Sequence, residues 1–246
     1  MIAVGVLGAR GKMGSAACDA IDASDDLELV ARVDVDDDVS ALRGADVAVD
    51  FTAPGAVMDN LSWCIGHGVS AVVGTSGFTA EKLGSVERLL TGAPHVGVLV
   101  VPNFSIGAVL MMRFAAAAAQ FFESVEIVEM HHPTKVDAPS GTARRTAEMV
   151  AAARSEAQLP AMPDATVDAV DGARGATIAG IAVHSVRARG LMAHQEVLLG
   201  GTGETLVIRH DSLDRTSFMP GVLAAVRAMP ERRGLHVGLD SVLGLD

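Results

Sequence analysis

Ile2-Ala3-Val4-Gly5-Val6-Leu7-Gly8-Ala9-Arg10-Gly11-Lys12-Met13-Gly14 is the stretch that decides the fold. Its first six residues form an apolar run of strand length, the next seven a glycine-rich turn, and a helical stretch to about Ala23 follows. A strand that enters a helix through closely spaced glycines is how a dinucleotide-binding unit begins. One glycine makes the turn, another lets the backbone approach a pyrophosphate, and a third packs helix on strand. The spacing is G-x-x-G-x-x-G, not the commoner G-x-G-x-x-G, so alone it reads equally as a plain glycine turn. Its place between strand and helix makes Gly8, Ala9, Arg10, Gly11, Lys12 and Met13 candidate cofactor contacts. Asp34 closes the next strand-like run, Leu27–Val33, twenty residues beyond Gly14. A carboxylate there can accept from the hydroxyls of an adenosine ribose. Asp36, Asp37 and Asp38 read as a solvated acidic loop.

The same alternation continues through the first hundred residues. Val47–Phe51, Ser70–Val73 and Val96–Val101 are short apolar runs, with helical stretches near 55–65 and 79–90 between them. Val-rich strands alternating with helices predict a parallel sheet covered on both faces, a Rossmann-like, doubly wound α/β architecture. Ligands in such sheets bind at the carboxyl ends of the strands. Phe51 and Thr52, Gly74, Thr75 and Ser76, and Val101, Pro102, Asn103 and Phe104 stand at those ends, though each could be a routine turn.

After Phe104 the pattern changes. A long apolar helix near 106–122 leads to a strand over 125–132 and a helix over 141–157; strand-like runs follow at Thr177–Arg189, His194–Leu199 and Glu204–His210. Helices followed by adjacent antiparallel strands predict an α+β second domain with a mixed or antiparallel sheet. Residues 216–229 return to helix. The pattern alone puts a domain boundary near residue 105.

Composition narrows the functions. A formal net charge of −11 argues against a nucleic-acid or anionic-membrane partner. Cys18 and Cys64 form no metal or disulfide pattern, which makes a reducing, cytoplasmic compartment the expectation. No charged leader precedes the first strand. The longest apolar stretch, 108–122, is interrupted by Arg113 and Gln120 and reads as a buried helix. The chain has no tyrosine, which removes any reductase mechanism built on a Tyr-x-x-x-Lys pair.

The chemistry concentrates in Glu129-Met-His-His-Pro-Thr-Lys-Val-Asp-Ala-Pro-Ser-Gly-Thr-Ala143. His131 and His132 are neighbours on a strand and face opposite ways, so they serve different atoms. Pro133 ends the strand pattern. Ser140 or Thr142 can cap the following helix, but neither has Glu or Gln three residues on, so no capping box closes the first N–H groups. Open N–H groups beside Lys135, Arg144 and Arg145 make an anion site. An ordinary loop with a routine cap, a hydrogen-bonded histidine pair and a surface lysine is the plainer alternative. A metal site of Glu129, His131 and Asp137 is disfavoured by the Pro133 break, and no metal is expected. His194, His210, Arg187 and Arg209 read as structural or subunit-contact residues.

His-His-x-x-Lys-x-Asp-Ala-Pro-Ser-Gly-Thr-Ala resembles the signature of the 4-hydroxy-tetrahydrodipicolinate reductase (dihydrodipicolinate reductase) family, and the likeness extends over essentially the whole chain. That family also carries the variant glycine spacing, with Lys12, Met13 and Gly14 matching. The resemblance implies NADH or NADPH as cofactor, a small dicarboxylate ring as substrate, and a place in lysine and diaminopimelate biosynthesis. It implies His131 as proton donor and Lys135 as its charge-stabilising partner, with His132, Ser140, Gly141 and Thr142 on the substrate carboxylates. It also implies a homotetramer built through the second-domain sheet, and a tail that packs back on the first domain. The fuller division that the resemblance implies is 1–105 with 216–246 for the dinucleotide-binding domain, and 106–215 for substrate binding and oligomerisation. Two rivals fit less well. An aldehyde dehydrogenase of the aspartate-semialdehyde type needs a second-domain cysteine, and both cysteines lie in the first. A redox-sensing nucleotide binder would leave His131, Lys135 and the Ser-Gly-Thr helix start without purpose.

Overall fold

A computed structural model describes residues 1–245 and divides them into two compact units, Met1–Ile106 with the residues from Arg215 onward, and Gly107–Asp214.

In the first unit the strands are β1 (Ile2–Leu7), β2 (Leu27–Val33), β3 (Val47–Asp50), β4 (Ser70–Val73) and β5 (Gly97–Val100). Between them run the helices α1 (Lys12–Asp22), α2 (Val57–Gly66) and α3 (Ala80–Thr91). Every residue of β3, β4 and β5 is buried, the pattern of parallel strands covered on both faces. The core that covers them is aliphatic. Val57, Leu61, Ile65, Val86 and Leu90 of the helices pack on Ala71, Val73, Val98 and Val100 of the strands. Each such side chain contributes roughly 1.5–3 kcal/mol by leaving water.

The second unit contains α4 (Ile106–Ala119, its first residue belonging to the first unit), β6 (Ser124–His131), α5 (Gly141–Glu156), β7 (Ala176–Ile178), β8 (Ile181–Arg187), β9 (Ala193–Gly201) and β10 (Glu204–Ser212). The chain then returns to the first unit as α6 (Met219–Ala228) and β11 (Gly234–Val237). The first sheet runs β11-β5-β4-β3-β1-β2, with every pairing parallel. The chain reverses direction across the sheet on either side of β1, which puts the topological switch at the carboxyl ends of β1 and β3. The sixth strand, β11, goes beyond the five that sequence pattern supplies; four residues pair with β5 from Gly234–Gly97 to Val237–Val100.

The second sheet runs β10-β9-β6-β8-β7 and is mixed, since β6 pairs with β8 in parallel and with β9 antiparallel. Its alternate residues Val125, Ile127, Ile181, Val183, Val197 and Leu199 pack against Ala115 and Ala119 of α4 and Ala143, Ala147 and Val150 of α5. The run Thr177–Arg189 is not one strand: Ala179 and Gly180, at φ 48° and 85°, turn it into the β7–β8 hairpin. Two successive positive φ values are what a tight hairpin needs, and the non-glycine residue at the first position hides the turn from sequence reading. Among the described residues, no helix is long and apolar enough to cross a membrane.

Candidate active site

The glycine-rich turn sits at the carboxyl end of β1. Gly8 has φ +76°, and a Cβ there would lie 2.8 Å from the Phe51 carbonyl oxygen. A Cβ at Gly14 would lie 2.0 Å from the Gly8 carbonyl oxygen, so the turn can close on α1 only with glycine there. Gly11 is the N-cap of α1 and offers no side-chain cap, which leaves the first-turn N–H groups to an outside acceptor. These features fit a pyrophosphate. Asp34 stands beside them: its carboxylate accepts the Arg10 backbone N–H at 2.7 Å and the Val35 N–H at 2.9 Å. The bonds from Arg10 and then Val35 hold its carboxyl below the usual range. Asp37 is more than a solvated residue. It takes the Arg10 guanidinium at 2.9 Å and accepts the Asp34 N–H at 2.9 Å, while Asp38 caps the short 3-10 turn at Ser40.

The strand ends beyond are organised by Asp50, which is buried. Its Oδ1 accepts from the Thr52 N–H at 2.8 Å, the Thr52 hydroxyl at 2.7 Å and the Thr75 hydroxyl at 2.9 Å, and its Oδ2 accepts from the Asn60 amide at 2.8 Å. Phe51 and Phe104 meet edge to face, with centroids 5.5 Å apart, and a Cβ at Gly74 would strike both rings. Val101 and Phe104 are buried, Ser76 and Pro102 exposed, and Asn103 Oδ1 accepts the Ser105 N–H at 2.8 Å.

In the second unit β6 alternates, and its inward residues end in Glu129. That carboxylate is fully buried. Its Oε2 accepts from His131 Nδ1 at 2.6 Å and Arg187 Nη1 at 2.9 Å; its Oε1 accepts from Arg187 Nη2 at 2.7 Å and the Ser140 N–H at 3.2 Å. Burial pushes the Glu129 carboxyl up, but hydrogen bonds from His131, Arg187 and Ser185 outweigh it and bring it down to about 2. His132 lies past the strand end, with Nδ1 2.8 Å from the Thr134 hydroxyl. Lys135 Nζ is 2.6 Å from Asp137 Oδ1, and burial followed by that ammonium sets the Asp137 carboxyl, with a net lowering.

Ser140 is the N-cap of α5, and its Oγ accepts the Ala143 N–H at 3.1 Å. No acidic residue follows in the first turn, where Gly141 is exposed and Thr142 half-buried. Behind that turn the Thr146 hydroxyl donates to the Thr142 carbonyl at 2.8 Å and accepts from Gln195 at 2.7 Å. Arg144 folds back onto the Pro139 carbonyl, and Arg145 leans toward Glu148.

Family models for the two halves of one enzyme cover this chain. "Dihydrodipicolinate reductase, N-terminus" matches residues 2–104, and "Dihydrodipicolinate reductase, C-terminus" matches residues 107–243. The chain belongs to the dihydrodipicolinate reductase family. It is 60% identical to the 4-hydroxy-tetrahydrodipicolinate reductase of Cutibacterium acnes, over the full length of both chains. It is 59% identical to that of Nocardia farcinica, over 99% of each. Among solved structures it is similar to the dipicolinate-bound dihydrodipicolinate reductase of Paenisporosarcina sp. TG-14, with a TM-score of 0.85 and 40% identity over 98% of this chain and 99% of that one. A probable dehydrogenase from Thermotoga maritima, at 11% identity and a TM-score of 0.62 over 99% and 93% of the two chains, shares the fold alone.

Within this reductase family member, the residues singled out by sequence fall into two groups. Gly8 to Met13, Asp34, Phe51, Thr52, Gly74 to Ser76 and Val101 to Phe104 lie in the first unit. His131, His132, Lys135 and Ser140 to Thr142 share one corner of the second. Three residues were not anticipated in these places. Asp50 and Asn60 knit the rim together, and Arg187, read from sequence as structural or at a subunit contact, clamps Glu129 beside His131. Arg187 is 58 residues away from Glu129 along the chain, so no local pattern joins them. Of the Glu129–His131–Asp137 grouping, Glu129 and His131 meet with Arg187 on the same carboxylate, and Asp137 pairs with Lys135 instead.

Proposed function

We propose that this chain carries out its family's reaction, the reduction of 4-hydroxy-tetrahydrodipicolinate to tetrahydrodipicolinate in lysine and diaminopimelate biosynthesis. The observation that supports it most is the corner made by His131, Lys135 and the Ser140-capped start of α5. One short segment there holds a proton donor, a cation and a helix N-terminus with no acidic residue in its first turn.

NADH or NADPH, the cofactors of this family, supplies the hydride when bound. The substrate's hydroxyl leaves as water together with a neighbouring ring proton, giving a C=N–C=C ring. Hydride addition turns that ring into an enamine, and one proton must then reach ring carbon. His131 gives that proton, since histidine exchanges protons near neutral pH and acid catalysis of this kind is worth about 10²–10⁴-fold. Lys135 offsets charge on the ring or a carboxylate; Asp137 takes part of its charge, and its remaining N–H groups face the substrate. His132 holds a carboxylate, and Ser140, Gly141 and Thr142 hold another through the helix start. A helix terminus supplies only about 0.3–1 kcal/mol when exposed and up to ~2 partly buried, so Lys135 carries much of the attraction for a dianion. In the first unit, the turn from Gly8 to Met13 takes the pyrophosphate, Asp34 the ribose, and the rim from Phe51 to Phe104 the nicotinamide half.

Assembly as a homotetramer belongs to the same reading. The sheet face turned away from α4 and α5 carries Leu198 beside Val207, with Val186 and Val128 further along, all half-buried or exposed. Paired charges lie among them, Arg209 with Glu196 and His184 with Glu126. Another copy of that face matches both features. The compartment is the cytosol.

The test is NADH oxidation with freshly made 4-hydroxy-tetrahydrodipicolinate, with pyridine-2,6-dicarboxylate as inhibitor. Substrate-dependent oxidation is expected, with inhibition competitive against the ring substrate and weakened by Thr142→Val and by salt. Inhibition competitive with NADH would put the anion site in the wrong unit.

A further inference from the structure

We infer that Glu129, clamped by Arg187, is the positioning residue that fixes the working tautomer of His131 and ties the proton donor to the carboxylate-binding start of α5. The inference rests on the assignment of His131 as the acid. A carboxylate only accepts, so the 2.6 Å contact requires His131 to donate from Nδ1. That leaves Nε2 as the atom that carries the transferable proton. A hydrogen bond on one ring nitrogen sets the role of the other.

Glu129 alone would not hold this arrangement. A fully buried carboxylate without a cation takes up a proton, and would then compete with the substrate for the histidine's. Arg187 prevents this with two parallel bonds, one to each oxygen, and anchors the loop by donating to the Asp137 carbonyl at 2.8 Å. The oxygen away from His131 accepts the Ser140 N–H, so the same carboxylate sets where α5 begins. The groups facing it are Arg187 and Ser185 on β8, His131 on its own strand, Ser140 at the head of α5, and Gln195 directly across on β9. Arg187 is the cation that balances it.

The arrangement predicts an unusual outcome for Glu129→Gln. The Oε1 position faces two fixed donors, Arg187 Nη2 and the Ser140 N–H, so the amide oxygen takes that side. The amide NH2 then loses the Arg187 Nη1 bond and faces His131 Nδ1, which must turn acceptor. The neutral imidazole inverts to the Nε2–H tautomer, and the imidazolium loses its partner.

The experiment is ¹⁵N NMR of histidine-labelled full-length protein above the imidazole titration, with His131→Ala to assign the signal, alongside turnover and dipicolinate binding. In wild type, His131 should show a protonated Nδ1 and a bare Nε2. In Glu129→Gln the two signals should exchange, and kcat should fall about 10²–10⁴-fold, as when an orienting carboxylate elsewhere becomes an amide, with NADH affinity retained. Wild-type protein with a bare Nδ1 overturns the inference even if the variant does not fold. So does a variant with inverted signals and wild-type turnover. Full turnover in His131→Ala would instead defeat the acid assignment, and this inference with it.

Discussion

At the scale of single residues, the decisive contacts are competitions among charges. In the proposed cofactor site Asp34 favours a free ribose hydroxyl and repels a 2′-phosphate, whereas Arg10 and Lys12 in the adjoining turn favour the phosphate. Arg10 is held by Asp37, so its attraction for a phosphate is discounted by the pair it must leave. Exposed pairs are worth about 0–1 kcal/mol. The expected result is therefore dual cofactor use with a preference of about tenfold or less, since tenfold requires about 1.4 kcal/mol. Asp37→Asn should raise kcat/KM for NADPH relative to NADH, and neutralising Arg10 and Lys12 together should lower it. Equal changes for both cofactors would contradict this account of the pocket. Glu129 sets a second expectation. Its folded carboxyl, at about 2, lies below the unfolded value, so the unfolded chain binds more protons between those values. The resulting stability is complete above about pH 5 and lost as pH falls toward 2, a term on the order of 3 kcal/mol. Urea midpoints measured across that range should decline, and Glu129→Gln should flatten the decline; parallel slopes would remove Glu129 as its source.

At the scale of elements, the strand–turn–helix unit makes the sharpest case. A Cβ at Gly14 would meet backbone, which cannot move aside as a side chain can. Gly14→Ala should raise the NADH dissociation constant about tenfold or more while the protein still melts cooperatively; unchanged affinity in calorimetry would show that the turn does not form the cofactor cradle. This unit was legible in the sequence because its signals are local: an apolar run, glycines at fixed spacing, then helical periodicity. The Glu129–Ala143 segment was legible for the same reason. What escaped was not local. β11 is four residues long and is a strand by virtue of β5 beside it. The β7–β8 turn has alanine at a positive φ, where sequence rules look for Asn or Asp. Arg187 and Asp50 declare themselves only through partners distant in sequence, or through burial that the chain does not print. The acidic loop shows the same limit: four aspartates look alike in sequence, and the fold gives Asp34, Asp37 and Asp38 different partners.

At the scale of the whole molecule, the proposed reaction divides its tasks between the two units. With a net charge of −11, a dianion must be drawn in by local cations against the overall field. The open sheet face supplies the assembly prediction. Wild type should run as a tetramer in light scattering, and Leu198→Glu should yield smaller species, because a lone charge would enter an apolar contact with another copy. An unaltered tetramer would place the interface elsewhere. The central claim is that His131, outside the cofactor unit, delivers the proton that completes reduction. The most direct test is substrate-dependent NADH oxidation by His131→Ala, read beside its NADH affinity. The account predicts turnover lower by about 10²–10⁴-fold with NADH binding close to wild type. Near-wild-type turnover in that variant would contradict it.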